Sequence, residues 1–223
     1  MGTIKDGYET HVRPGIKKLA LLLNKVVRQL NVFERAGTSL QHAGKPASII
    51  EKLKLKDGTT RSINNAGLII LHPFLATLMT ELSLVKSGNW INLEAQHAAV
   101  YVTACLVNGE AEYTEHELVF NKLICGMAVG DSLPALVELP PRTVQCCEDV
   151  LTKVIAHWSI LENISINGLR ESFLQRNGSL SIVGNDLLLK VERKSSDVLL
   201  DQIPWGISFC RLPWMKGAIY TEW

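Results

Sequence analysis

Ser132, in Gly130-Asp131-Ser132-Leu133, is placed like the hydroxyl nucleophile of a GDSL-type acyl hydrolase motif. That chemistry needs a base and an orienting carboxylate, supplied by a later Asp-x-x-His. The last histidine is His157, with Val154 three residues before it, so no such pair follows Ser132. The segment therefore reads as a loop between helices. Cys147 and His157 form a second candidate pair, nucleophile and base. Ten residues along one helix separate them by about 15 Å, so an unbroken helix keeps them apart. His72, His97 and His157 all lie in apolar segments, where a hydrogen-bonded core histidine is the default.

The five cysteines are Cys105, Cys125, Cys146, Cys147 and Cys210. With no apolar leader-like run after Met1, their odd count points to reduced, buried thiols. No C-x-x-C pair or zinc-like spacing occurs, and no phosphate loop, dinucleotide fingerprint or calcium loop. No catalytic, cofactor or metal site is expected. Lys52, Lys54 and Lys56 alternate with Leu53 and Leu55, as on a charge-guarded edge strand. No aromatics interleave with them to stack on bases. Trp205, Trp214 and Trp223 are set nine residues apart, the first two behind Pro204 and Pro213. Proline holds the chain extended there, so Trp205, Arg211, Trp214 and Trp223 are the candidate anchors for a protein partner.

These residues need a scaffold, and composition allows one. The chain has 223 residues, 47% hydrophobic and 20% charged, with a formal net charge of +1. It is core-forming, and that net charge gives no overall pull toward nucleic acid or anionic membrane. The most apolar run, Gly67 to Met79, has 13 residues, short of the ~20 needed to span a bilayer, and reads as a buried helix.

Ile16, Leu19, Leu23, Val26 and Leu30 repeat at helical spacing in Pro14–Leu30, ahead of a polar stretch from Glu34 to Pro46. Asp57-Gly58 offers a turn into a strand at Thr59–Ile63. Asn92 and Gly109 bracket a helix with a stripe of Ala95, Ala98, Ala99, Val102, Cys105 and Leu106. Thr114–Glu117 is a capping box for the next. Val144, Cys147, Leu151, Val154, Ile155 and Trp158 mark another, and Ser165 opens one that Gly178 stops. The period then changes: Ser179–Val183 and Leu187–Arg193 flank Gly184-Asn185-Asp186 as a hairpin, with further strands at Ile207–Leu212 and Ala218–Trp223. The expected fold is α+β, mainly α. It comprises an N-terminal helix with linker (1–62), a helical body (63–178) and a β-rich, tryptophan-containing region (179–223).

Ile63-Asn64-Asn65-Ala66-Gly67-Leu68-Ile69-Ile70-Leu71-His72-Pro73-Phe74-Leu75 resembles the N-A-G-L-x-x-L-H-P-F-L signature of contractile injection system tape measure proteins. Glu117–Gly126, Val154–Trp158 and Gly168–Arg176 resemble further blocks in the same order. Val191–Lys194, Asp197–Asp201, Pro204-Trp205, Leu212–Met215 and Glu222-Trp223 complete it. The residues that carry the likeness include Asn65, Gly67, His72, Pro73, Asn121, Trp158, Arg170, Pro204 and Pro213.

The resemblance implies a non-enzymatic component of a bacterial phage-tail-like particle, assembled in the cytoplasm. Such a particle has a sheath around an inner tube, with baseplate and spike at one end. Its partners would be tube, baseplate or spike proteins, with self-association open and no nucleic acid, membrane span or cofactor. A ruler must be long. Fully helical, this chain would reach roughly 335 Å, and its glycines, prolines and strands forbid one rod. A globular terminal domain is the expectation. The alternatives are a hydrolase using Ser132 or a Cys–His pair, and a helical adaptor that meets an acidic partner or nucleic acid through Lys52–Lys56.

Overall fold

The computed structural model describes residues 60–109, 113–135, 138–183 and 186–223, all within the compact unit Lys45–Trp223. The Pro14–Leu30 periodicity, the stretch from Glu34 to Pro46, the Lys52–Lys56 row, the Asp57-Gly58 turn and the Gly184-Asn185 corner lie outside these residues.

The fold is α+β, a helical body followed by a sheet. Strand β1 (Arg61–Ile63) leads into a 3-10 segment, Ala66–Leu71, all six residues buried. Helix α1 (His72–Glu81) follows, with Pro73 in its first turn, where no N–H is needed. The apolar run thus folds as two helical pieces. Gly67 is the reason the first fits: a Cβ there would lie 1.8 Å from the Phe173 carbonyl oxygen. Strands β2 (Val85–Lys86) and β3 (Asn89–Trp90) form a tight hairpin. Ser87 and Gly88 take positive φ at its tip, as a primed turn requires.

Helix α2 (Leu93–Asn108) is the central element. Asn92 caps it, accepting from the Ala95 amide at 2.7 Å, and Gly109 ends it at φ +73°. The expected single stripe is too narrow. Every residue from Ala99 to Val107 is buried, as for a helix enclosed on all sides. Around it pack the Ala66–Leu71 segment, helix α3 (Val119–Ile124) and helix α4 (Pro141–His157). The Thr114–Glu117 box does not open α3 directly. Glu117 accepts from the Thr114 amide and hydroxyl within a turn, and α3 starts at Val119. Helix α4 buries Cys147, Val150, Leu151, Val154 and Ile155. Ser165 caps α5 (Ile166–Leu169), which runs on as a π-helical turn, Arg170–Leu174.

Gly178 is not the stop of that helix; it begins strand β4 (Gly178–Val183). A Cβ there would lie 2.6 Å from the Ala66 Cβ and 2.7 Å from the Lys190 oxygen, so close approach decides the residue. Strand β5 (Asp186–Val191) completes the hairpin with β4. A 3-10 segment, Ser195–Gln202, buries none of its residues. Strands β6 (Phe209–Cys210) and β7 (Ile219–Glu222) follow. The sheet order is β1-β4-β5-β7-β6, with β7 parallel to β5 and every other pair antiparallel. Residues 61–63, upstream of the helical body, thus complete the edge of the C-terminal sheet.

Candidate protein-interaction surface

Ser132 is exposed in a loop fastened from within. Lys122 of α3, 1% exposed, reaches the Asp131 carbonyl at 2.7 Å and the Glu115 carboxylate at 2.5 Å. The Asp131 carboxylate accepts from the Ala128 amide at 2.9 Å. The Gly130–Leu133 segment is thus a loop wound around a buried lysine, and its aspartate supports the turn rather than a histidine.

Cys147 faces α2, donating weakly to the Val102 oxygen at 3.8 Å. Its hydrogen bond with Cys105, then burial, push the thiol up. His157, at the other end of α4, stacks on Phe74 at 6.5 Å. Burial pushes Cys125 and Cys210 up to about 12, so these thiols are protonated and inert at neutral pH. Among the described residues no group of three His, Cys, Asp or Glu side chains could hold a metal, and no helix is long and apolar enough to cross a membrane.

Of the signature residues, Asn65, Gly67, His72, Asn121, Trp158 and Arg170 are internal. Asn65 donates to Asn121 Oδ1 at 2.6 Å, Asn121 donates to Thr103 Oγ1 at 3.0 Å, and Thr103 donates to the Val100 oxygen at 2.7 Å. This buried chain ties the 3-10 segment to α3 and α2. His72 Nε2 bonds the Gly206 oxygen at 3.0 Å. Burial lowers its pKa, outweighing that hydrogen bond. Arg170 donates to the Leu106 and Cys105 carbonyls at the end of α2, both at 3.2 Å, and shares the Cys105 oxygen with the Gly109 amide. A cation suits a helix C-terminus.

Arg176 and Asp197 form a buried ion pair that sequence reading missed. Burial alone would raise the Asp197 carboxyl. The hydrogen bonds and charge of Arg176, with the Lys194 amide, outweigh that and hold it below the usual range.

The nine-residue spacing of the three late tryptophans marks three different seats. Trp205 packs edge-on against Phe74 at 5.1 Å and donates to the Ile70 oxygen at 2.9 Å. Trp223 lies under the Arg176 guanidinium, 5.4 Å from ring centroid to Cζ. Trp214 stacks on Trp90 at 4.4 Å. Trp214 donates to the Ile124 oxygen at 2.9 Å and Trp90 to the Cys125 oxygen at 3.1 Å, together closing the end of α3. Trp158, fully buried against Phe173, donates to the Leu199 oxygen at 3.1 Å. All four of these N–H groups end on main-chain carbonyls. Trp205, Trp214 and Trp223 stay half-buried, while Arg211, Pro204 and Pro213 are exposed.

The structure brings Arg211 and Trp214 onto one stretch of surface and seats Trp205 and Trp223 elsewhere. Pro213 lies over the β2–β3 tip, its Cβ 3.1 Å from where a Gly88 Cβ would stand. Trp90, the partner of Trp214, escaped the sequence reading. Its signal was a tryptophan two residues before a helix cap, next to Ile91 and Leu93, which are 54% and 58% exposed.

A family model described as contractile injection system tape measure protein matches residues 12–223. No curated protein and no solved structure matches the chain.

Proposed function

We propose the following for a chain that belongs to the contractile injection system tape measure protein family: its folded domain, residues 60–223, is a non-enzymatic docking module. It fastens the protein to the inner tube, baseplate or spike of the phage-tail-like particle during assembly in the cytoplasm. The observation that carries this reading is the Trp90–Trp214 pair. Both N–H groups are spent on the end of α3, so what the two half-buried rings offer outward is apolar surface, beside exposed Arg211. Tryptophan and arginine dominate interface energetics. The non-enzymatic part is supported by the family match.

The test compares particle assembly in cells carrying Trp214→Ala with cells carrying a core variant of matched melting temperature, Leu151→Ala for instance. Assembly fails in the first and survives in the second if Trp214 docks a partner. Equal loss in both would confine Trp214 to the fold. An activity-based serine probe tests the hydrolase alternative: labelling abolished by Ser132→Ala would overturn the structural reading.

A further inference from the structure

We infer that the face built by the β2–β3 hairpin and the Arg211–Lys216 loop receives an acidic protein segment, one with carboxylates flanking an aliphatic or aromatic side chain. The inference rests on the docking reading above and names the chemistry of its partner.

Three observations carry it. First, the face is apolar at its centre. Trp90 and Trp214 stack at 4.4 Å, and Ile91 and Leu93, which carry the chain from β3 into α2, are 54% and 58% exposed. Second, it is cationic at its border. Along the loop Leu212 and Met215 turn inward while Arg211 and Lys216, on either side of Trp214, are exposed. Neither forms an ion pair among the described residues. Glu94, in the first turn of α2, is the carboxylate beside Leu93. Third, the domain around it has the opposite sign. Residues 60–223 hold 12 basic and 17 acidic residues, a formal −5, and three of the basic ones, Lys122, Arg170 and Arg176, are buried. Two exposed, unpaired cations beside half-buried tryptophan make a local field that favours carboxylates against the negative charge of the body, and a surface that favours an apolar side chain.

The test uses the full chain and, in turn, the purified inner-tube, baseplate and spike subunits of the same particle, with association followed by surface plasmon resonance at two salt concentrations. Border charges act on encounter, and the apolar centre acts on residence. Arg211→Glu/Lys216→Glu is expected to slow association about tenfold and to flatten its salt dependence. Ile91→Ser/Leu93→Ser is expected to leave association within about twofold and to speed dissociation about tenfold. All four side chains are exposed, and circular dichroism melts confirm that the variants fold.

If no subunit binds the wild-type chain, the docking reading fails and this inference with it. If one binds and charge reversal changes neither rate nor salt dependence, the inference alone fails. Tighter binding after charge reversal would mean a basic partner and overturn it, as would sedimentation showing that the face joins two copies of this chain.

Discussion

The Arg176 guanidinium grips the Asp197 carboxylate with two prongs, Nη1 to Oδ1 at 2.7 Å and Nη2 to Oδ2 at 2.9 Å, while being wholly buried. The same guanidinium donates to the Ser172 and Glu192 oxygens and faces the Trp223 ring. One side chain thus joins the π-helical turn, the segment after β5, the Ser195–Gln202 segment and Trp223, the residue after β7. The Ser195–Gln202 segment buries no residue of its own, so its place depends on such point attachments.

Asp197→Ala should destabilise the domain by about 3–5 kcal/mol, because it strands a buried charge. Replacing both partners, as in Arg176→Met/Asp197→Leu, should cost far less. Urea unfolding of the three chains checks this. The folded carboxyl titrates below its unfolded value of about 3.9, so its contribution is complete above that pH and is lost as pH falls through the folded value. Asp197→Ala should lack this part of the acid slope.

Gly67→Ala should be among the most damaging single changes. The added carbon meets a main-chain oxygen at 1.8 Å, which cannot move aside as a side chain can. The loss should exceed the roughly 1–3 kcal/mol of ordinary overpacking. Gly109→Ala, where the obstacle is a backbone conformation essentially reserved to glycine and the tip of Arg170, should cost less, about 1–3 kcal/mol. Chemical denaturation ranks the two.

Asn121→Leu leaves the buried Asn65 amide without its acceptor and should cost about 1–3 kcal/mol. A double-mutant cycle with Asn65→Leu should show strong coupling, since removing both ends of the bond strands neither.

His72 should make stability pH-dependent below neutrality. Burial holds its folded pKa under the unfolded value of about 6.5, so the unfolded state binds the proton first. Stability is unaffected above about pH 6.5 and falls as pH drops from there toward the folded pKa, by up to about 1.4 kcal/mol per unit. His72→Phe should remove that slope in urea melts run from pH 7.5 to 5.

One thiol should react in the native protein. Cys146 is half-buried while Cys105, Cys125, Cys147 and Cys210 are buried. Burial and the carboxylates of Glu81 and Asp149 raise Cys146 somewhat, so its reaction with Ellman's reagent should be slow but separate. Cys146→Ser should abolish it, and denaturant should expose all five in the wild type.

Signals confined to one element were legible in the sequence. Asn92 and Gly109 bracket α2 because capping is local chemistry, and the β4–β5 hairpin follows from its alternation and turn residues. The 3-10 segment was not legible, because a run apolar at every position has no period to read. Long-range pairings stayed hidden: β1 joins β4 across the whole helical body, and β7 enters parallel beside β5. Of the anchors, the half-buried tryptophans were readable as large aromatics, two of them behind prolines, but their seats were not. Lys122 was lost because lysine normally means a solvated face. A lone lysine amid Val119, Phe120, Leu123 and Ile124 was the overlooked signal.

Four indoles hold this domain by donating to main-chain oxygens of Ile70, Ile124, Cys125 and Leu199. A carbonyl is the same group whatever side chain stands beside it, whereas no aliphatic or phenyl side chain carries an N–H. Substitution should therefore fall unequally on the two halves of each bond. The acceptor positions should tolerate exchange among apolar types, while each of the four donors should tolerate no residue that lacks an N–H, whether it stands in the helical body, as Trp90 and Trp158 do, or near the end of the chain, as Trp205 and Trp214 do.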